Sequence, residues 1–286
     1  MKYNAGLVLE GGGMRASYTN GVLDYFMENN IEFKYVVGVS AGIMSGMNYI
    51  SKQQGRARTL SVDYADDKRT IGVSNLIKHG QYFNLSHIYK VLDKEVFFDY
   101  DAFFNNDTIF KIGCFDVATG DVRYFNKNYL KENDTLDPII ASNSLPLLSK
   151  IVPIEDKKYL DGGIRDSIPL NISIADGNKK NVIILTNPIE YRRQPESTIK
   201  YIKVLYRKYP KLIEALKRRH TVYNDMLDRI EVMEKNKEVF IIRPSIKLEV
   251  SRYSKDKDTL LAAYDQGYSD AERLKEELIE FLDSNE

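Results

Sequence analysis

Gly38-Val39-Ser40-Ala41-Gly42 sets a hydroxyl between two glycines, where the apolar run Tyr35-Val36-Val37 gives way to an uncharged, helix-compatible run reaching about Ile50. The apolar run reads as a buried strand, and the glycines two before and two after the serine let that strand and the following helix cross closely. Ser40 falls on the turn, where a strained backbone pushes its Oγ outward. The helix behind it adds a positive dipole end. A serine nucleophile belongs at such an elbow, and an ordinary glycine-rich strand-to-helix turn is the alternative.

The rest of the chain supports a layered fold around that elbow. Residues 5–9 and 35–39 read as strands, and the spacing of Val22, Leu23, Phe26 and Met27 predicts a helix over 17–29 between them, a β-α-β unit. Residues 74–110 are rich in Phe and Tyr without a steady period and form an irregular insertion. Residues 111–116 and 122–125 flank Ala118-Thr119-Gly120-Asp121, a hairpin turn, and 181–186 form a further buried strand. Ile199, Ile202, Tyr206, Tyr209, Leu212, Ile213 and Leu216 recur at three- and four-residue steps, so 198–229 form one or two amphipathic helices that Pro210 kinks or splits. Residues 239–243 return as a strand and 259–282 close the chain as one long helix. Strands alternating with helices predict an α/β architecture with a largely parallel sheet, whose ligands lie at the carboxyl ends of the strands. The expected division is a domain of residues 1–190 and a mostly helical extension of 191–286 that contributes the strand near 239–243.

Composition excludes several function classes. The 286 residues, 43% hydrophobic, suffice for a large core. Forty-one basic and forty-one acidic residues cancel, so no global field draws nucleic acid and charge recognition is local. The single cysteine, Cys114, allows no internal disulfide, and with three scattered histidines it offers no zinc-ligand cluster, so neither metal nor cofactor is expected. The first apolar run ends at Glu10, too brief for an export signal. Residues 35–51, with three glycines and three serines, fall short of the roughly 20 apolar residues that span a bilayer. A cytoplasmic setting is expected.

Glu10-Gly11-Gly12-Gly13-Met14-Arg15-Ala16 follows the first strand and opens the first helix, which presents consecutive backbone N–H groups suited to an anion. Read as Gly11-x-Gly13-x-x-Ala16, it also matches a dinucleotide fingerprint. That reading needs an acidic residue at the end of the second strand, and Gly38-Val39-Ser40 stands there instead, with Glu32 before the strand. The same N–H groups suit the oxyanion of acyl transfer, each well-aimed donor being worth roughly 3 kcal/mol to the transition state.

A serine nucleophile needs a base. A Ser-His-Asp hydrolase would draw on His220, in the basic run Lys217-Arg218-Arg219-His220, while His79 and His87 lie in the aromatic insertion. Asp161-Gly162-Gly163, after the strand-like Lys157-Lys158-Tyr159-Leu160, offers a carboxylate pointing off a tight turn; an ordinary Asp-Gly turn is its alternative.

The glycine loop with Arg15, the Ser40 elbow and Asp161-Gly162-Gly163, in this order, resemble the patatin-like phospholipase family over about residues 5–190. Ala141-Ser142-Asn143-Ser144-Leu145-Pro146 is similar to a segment typical of that family. The resemblance implies a three-layer α/β/α fold and a Ser-Asp dyad that needs no histidine. Ser40 would be the nucleophile, Asp161 the general base, and Gly11, Gly12, Gly13 and Met14 the oxyanion loop, with Arg15 as its basic residue. Ala16 departs from the glycine often found at the end of that loop, and Gly163 makes Asp-Gly-Gly where Asp-Gly-Ala is the other version. The implied substrate is a fatty-acyl ester of a lipid; a lipid-binding or regulatory module of the same fold with little turnover is the third class.

Tyr82, Phe83, Tyr89, Phe97, Phe98, Tyr100, Phe103, Phe104 and Phe110 either line an acyl pocket or close the core beneath the insertion. Arg192, Arg193, Lys200, Lys203, Arg207, Lys208, Lys211, Lys217, Arg218 and Arg219 make a basic segment over 192–219, which is either a solvated helix face or a peripheral contact with anionic headgroups.

Overall fold

The computed structural model describes residues 2–70, 72–82, 84 and 93–284. Its centre is an eight-stranded sheet of β1 (Lys2–Leu9), β2 (Glu32–Gly38), β3 (Ile109–Asp116), β4 (Val122–Asn126), β5 (Val152–Ile154), β6 (Lys157–Asp161), β7 (Asn181–Ile184) and β8 (Val239–Ile242). The order is β5-β6-β3-β2-β1-β7-β8, with β4 paired to β3. β3, β2, β1, β7 and β8 run parallel, and β4, β5 and β6 add an antiparallel end. The parallel strands are near-continuous apolar runs because both faces of the sheet are covered.

Period-two alternation divides those runs between two cores. Leu7, Leu9, Val36 and Ile184 face α1 (Ala16–Glu28) and α2 (Ala41–Ile50), and pack with Val22, Phe26 and Ile43. The intervening Val8, Val37 and Ile183 face the opposite side, where they meet Tyr223, Leu227 and Ile230. Those three come from the long helix α5 (Pro210–Lys235), while α3 (Asp137–Ser142) and α4 (Ile199–Leu205) precede it. Pro210 splits the expected amphipathic stretch and takes the first position of α5, where its missing N–H would have no intrahelical partner.

The expected closing helix is two: α6 (Lys257–Arg273) and α7 (Lys275–Asp283), broken at Leu274. The break lets Leu260 and Ala263 pack against Val62 and Val250 while Leu278 and Leu282 reach the main core. Within the aromatic insertion, Phe98, Phe103 and Phe110 are buried in the core, Tyr100 and Phe104 pack against it, and Phe97 is exposed. Phe83, His87 and Tyr89 lie outside the described residues. Among the described residues no helix is long and apolar enough to cross a membrane.

Candidate active site

Strand register brings the three motifs to one edge. Leu9, Gly38, Ile112, Ile184 and Ile242 lie in one row across the parallel strands. The glycine loop, the elbow and the Leu185-Thr186 turn therefore all leave the sheet at the same level. α1 follows β1 onto one face of the sheet and α5 covers the other, so the gap between β1 and β7 is a crevice of the kind in which open α/β sheets bind ligands.

Asp161 reaches this edge by a separate route. β4 occupies one side of β3, so β2, pairing at 109–112, and β6, pairing at 114–116, share the other side. β6 runs antiparallel to β3 and ends at Asp161, opposite Cys114, so the carboxyl ends of β2 and β6 converge on Gly113. The approach is close enough that a Cβ on Gly162 would sit 2.3 Å from the Gly113 carbonyl oxygen. Glycine is required there.

Ser40 adopts φ 54° and ψ −137° at the N-terminal cap of α2, a region that side-chain-bearing residues rarely occupy. Behind it, a Cβ on Gly42 would come within 2.8 Å of the Leu9 and Glu10 carbonyls, so the elbow glycine permits the strand–helix crossing expected of it. The Ser40 N–H donates to Ser142 Oγ at 3.1 Å, and the Ser142 hydroxyl donates to the Gly113 carbonyl at 2.6 Å. Ser142, fully buried at the end of α3, thus couples the elbow to the convergence point.

The Ser40 side chain lies close enough to the Asp161 carboxylate to help hold its pKa down. Asp161 is buried, and its backbone N–H is held by the Ser144 carbonyl at 2.9 Å. Its Oδ1 accepts the Gly163 N–H at 2.7 Å. Burial raises the carboxyl pKa above the ordinary carboxylate range; Arg219, the Ser40 hydroxyl, the Gly163 N–H and Arg252 oppose that rise without cancelling it. The result is a carboxylate more basic than a solvated one.

Two N–H groups of the expected oxyanion loop already have acceptors. Gly11 N–H donates to the Ser167 carbonyl at 3.3 Å and Met14 N–H to the Arg252 carbonyl at 3.1 Å, because neighbouring turns brace the loop on both sides. The N–H groups of Gly12 and Gly13 have no acceptor among the described residues. A Cβ on Gly11 would lie 2.9 Å from Ser40 Cβ, so the loop abuts the serine directly. Arg15 stands behind the loop. Its Nε and one terminal nitrogen are buried without a partner among the described residues, and burial, helped by Arg252 and opposed by Glu10, lowers its pKa.

Several contributors escaped the sequence reading. Glu10, fully buried, accepts the Thr186 N–H at 2.6 Å, the Thr186 hydroxyl at 3.0 Å and the Tyr223 hydroxyl at 2.7 Å, which ties the glycine loop to β7 and α5. Arg219, read as part of a solvated basic face, turns inward and donates from Nε to the Gly163 carbonyl at 2.7 Å. Burial, with Arg193 and Arg252 nearby, pushes it down to about 9, so it stays cationic at neutral pH. His220 contacts Thr221 through Nε2, its Nδ1 has no partner among the described residues, and neither nitrogen meets Ser40 or Asp161. His79 is exposed.

One cavity opens on Ser40, and a neighbouring one shares a wall residue with it. The first, of about 150 Å³, is lined by Ser40, Met14, Met44, Leu60, Tyr64 and Leu145 among others, and is predominantly apolar. The second, of about 490 Å³, shares Leu145 and is bounded by Tyr82, Glu196, Ile202, Arg219, Arg252 and Tyr253. Of the insertion aromatics only Tyr82 borders either of these cavities among the described residues; the apolar wall is built instead from the 57–65 segment and α2.

Comparison with known proteins agrees with this architecture. Residues 7–174 match the model of the patatin-like phospholipases, and residues 209–283 match a domain of unknown function, DUF6363. The uncharacterized protein YjjU of Escherichia coli (strain K12) is 27% identical over 251 residues, 83% of this chain and 68% of that protein. The probable lipid hydrolase 463L of Invertebrate iridescent virus 6 is 23% identical over 197 residues, 63% of this chain and 67% of that protein. The crystal structure of VipD from Legionella pneumophila shares the fold, with a TM-score of 0.52 at 12% identity, over 97% of this chain and 67% of that one. The glycine loop, the Ser40 elbow and Asp161 all fall inside the segment matched by the first model, which covers more than half of the chain, and the protein belongs to the patatin-like phospholipase family.

Proposed function

We propose that the protein is a serine acyl hydrolase that cleaves fatty-acyl esters of lipids, with Ser40 as nucleophile and Asp161 as general base. The observation that carries this reading is the convergence of a buried Asp161 carboxylate, the glycine loop and a serine on a strained elbow at one edge of the sheet. Asp161 takes the Ser40 proton as Oγ bonds to the ester carbonyl carbon, and the carbonyl electrons move onto oxygen. The N–H groups of Gly12 and Gly13 receive that oxyanion. Collapse breaks the bond to the alcohol, which leaves with the proton held by Asp161, and the acyl group stays on Ser40. Water then repeats the cycle with Asp161 again as base, releasing the fatty acid.

A carboxylate is a weak base for a hydroxyl, so its raised pKa and the oxyanion donors carry much of the barrier. The apolar cavity beside Ser40 suits an acyl chain. Family membership and the lipid-hydrolase name of the viral relative support a lipid ester as substrate.

Peripheral membrane contact belongs to the same reading, on a narrower surface than the whole 192–219 segment. Arg193 and Arg219 turn inward, whereas Lys200, Lys203, Arg207 and Lys208 are exposed together with Tyr201, Val204 and Leu205. Ile202 of α4 lines the second cavity, so the helix that carries this basic and apolar surface also forms part of that cavity's wall.

Hydrolysis of a short-chain nitrophenyl ester and of a lipid panel tests the chemistry. Ser40→Ala and Asp161→Asn are each expected to abolish turnover with an unchanged circular dichroism spectrum, and His220→Gln to retain it. Retained activity in either of the first two overturns the dyad. Loss in His220→Gln with a tolerated Asp161→Asn would favour a histidine triad, and a wild type without turnover on any ester would favour a binding module.

A further inference from the structure

The second cavity carries a charge arrangement that ester hydrolysis alone does not use. Arg219 of α5 and Arg252, in the loop before α6, line it, and Arg193 stands close enough to Arg219 to depress its pKa along with Arg252. Glu196 is the carboxylate in the lining, and its Oε1 is already taken by the Thr198 N–H and hydroxyl. The Arg252 guanidinium has no hydrogen-bond acceptor and no carboxylate at ion-pair distance among the described residues. Asp161 and Glu196 offset the crowding at Arg219 only in part, since its pKa remains lowered, and gathered like charges are relieved when a further anion joins them.

The backbone of this loop has a separate duty. The Arg252 carbonyl braces the glycine loop by accepting the Met14 N–H at 3.1 Å, so the backbone and the base of the Arg252 side chain are anchored beside Gly13. Because the cavity shares Leu145 with the acyl cavity, an ester whose chain fills the apolar side directs its alcohol portion toward Arg252 and Arg219. A volume of about 490 Å³ accommodates a glycerol phosphate. The planar fork of arginine matches phosphate oxygens in a bidentate manner.

We propose that Arg252, assisted by Arg219, forms an anion subsite for the phosphate on the alcohol portion of the substrate, so that the 209–283 region selects phosphate-bearing acylglycerols over neutral ones. The assignment to a substrate headgroup rests on the hydrolase reading given above. Both arginines lie outside the 7–174 segment that carries the reacting groups, and selectivity would thus be supplied by the C-terminal region.

Binding to Ser40→Ala protein tests the subsite without turnover. Calorimetric titration uses palmitoyl-lysophosphatidic acid and monopalmitoylglycerol below their aggregation concentrations, two ligands that differ by the phosphate alone. The phosphate-bearing ligand is expected to bind at least about tenfold more tightly. Arg252→Gln in the same background keeps the backbone carbonyl on Met14 and is expected to bring the ratio of affinities to within about twofold, with Arg252→Lys retaining part of it. Equal affinities before mutation, or a ratio that survives Arg252→Gln, overturn the subsite. Inorganic phosphate binding as tightly as the lysolipid overturns the headgroup assignment in favour of a free-phosphate site. Wild-type turnover of the two esters is scored separately: if neither is cleaved the hydrolase reading fails, while the affinity ratio still decides whether the anion subsite exists.

Discussion

The Ser142 hydroxyl accepts the Ser40 backbone N–H at 3.1 Å and donates to the Gly113 carbonyl at 2.6 Å, linking the elbow to β3, the strand against which β6 positions Asp161. Ser142→Ala leaves a buried donor and a buried acceptor unsatisfied, a cost of about 1–3 kcal/mol. The larger effect is on alignment of Ser40 with Asp161. kcat is expected to fall by about 10- to 100-fold with KM nearly unchanged. Steady-state kinetics alongside thermal melts check this, and a loss confined to KM would assign Ser142 to substrate binding instead.

The strain at Ser40 predicts a stability gain when function is removed. At φ 54° and ψ −137° a glycine is relaxed while alanine keeps the Cβ penalty. Ser40→Gly is expected to be more stable than Ser40→Ala by about 1 kcal/mol, with both inactive. Urea denaturation of the pair measures the difference, and equal midpoints would mean that the elbow is unstrained.

Much of the site was legible because its signals are local. Gly38, Ser40 and Gly42 mark one turn; Gly11 to Gly13 mark another; Asp161 sits directly before its two glycines. What brings them together is long-range. Nothing in the sequence states that β6 shares an edge of β3 with β2, or that Ser142 within its motif bridges Ser40 and Gly113. Arg219 sits in a run of charges on a long helix, and periodicity there does not distinguish the charge that turns in to Gly163 from those that remain solvated. Arg252 lies in a loop without a pattern. The insertion aromatics were ambiguous because a ring that fills a core and a ring that lines a pocket have the same composition; Phe98, Phe103 and Phe110 took the core.

Arg219 predicts the direction of a pH effect. Asp161 acts as base only when deprotonated, and burial already raises its pKa, with Arg219 the foremost opposing influence. Removing that cation in Arg219→Gln raises the pKa further, so the acid limb of kcat/KM moves to higher pH. Arg219→Lys keeps a charge and should restore most of the wild-type limb. A limb that stays in place in Arg219→Gln would mean that Asp161 is not the titrating base.

The exposed face of α4 predicts salt-sensitive vesicle binding. Lys200, Lys203, Arg207 and Lys208 contribute charge, and Val204 and Leu205 contribute apolar area. Co-sedimentation with anionic vesicles should weaken as salt rises, and Val204→Glu with Leu205→Glu should lower partitioning at least about tenfold. Absence of wild-type binding at low salt contradicts the membrane contact.

Fluorophosphonate labelling followed by peptide mass mapping tests the dyad most directly, because the probe reports an activated serine whatever the physiological lipid is. Label is expected on Ser40 alone, absent in Ser40→Ala, slowed at least about 100-fold in Asp161→Asn and unchanged in His220→Gln. A wild-type protein labelled elsewhere, or a Ser40 that reacts at full rate without the Asp161 carboxylate, would contradict a Ser40-Asp161 dyad.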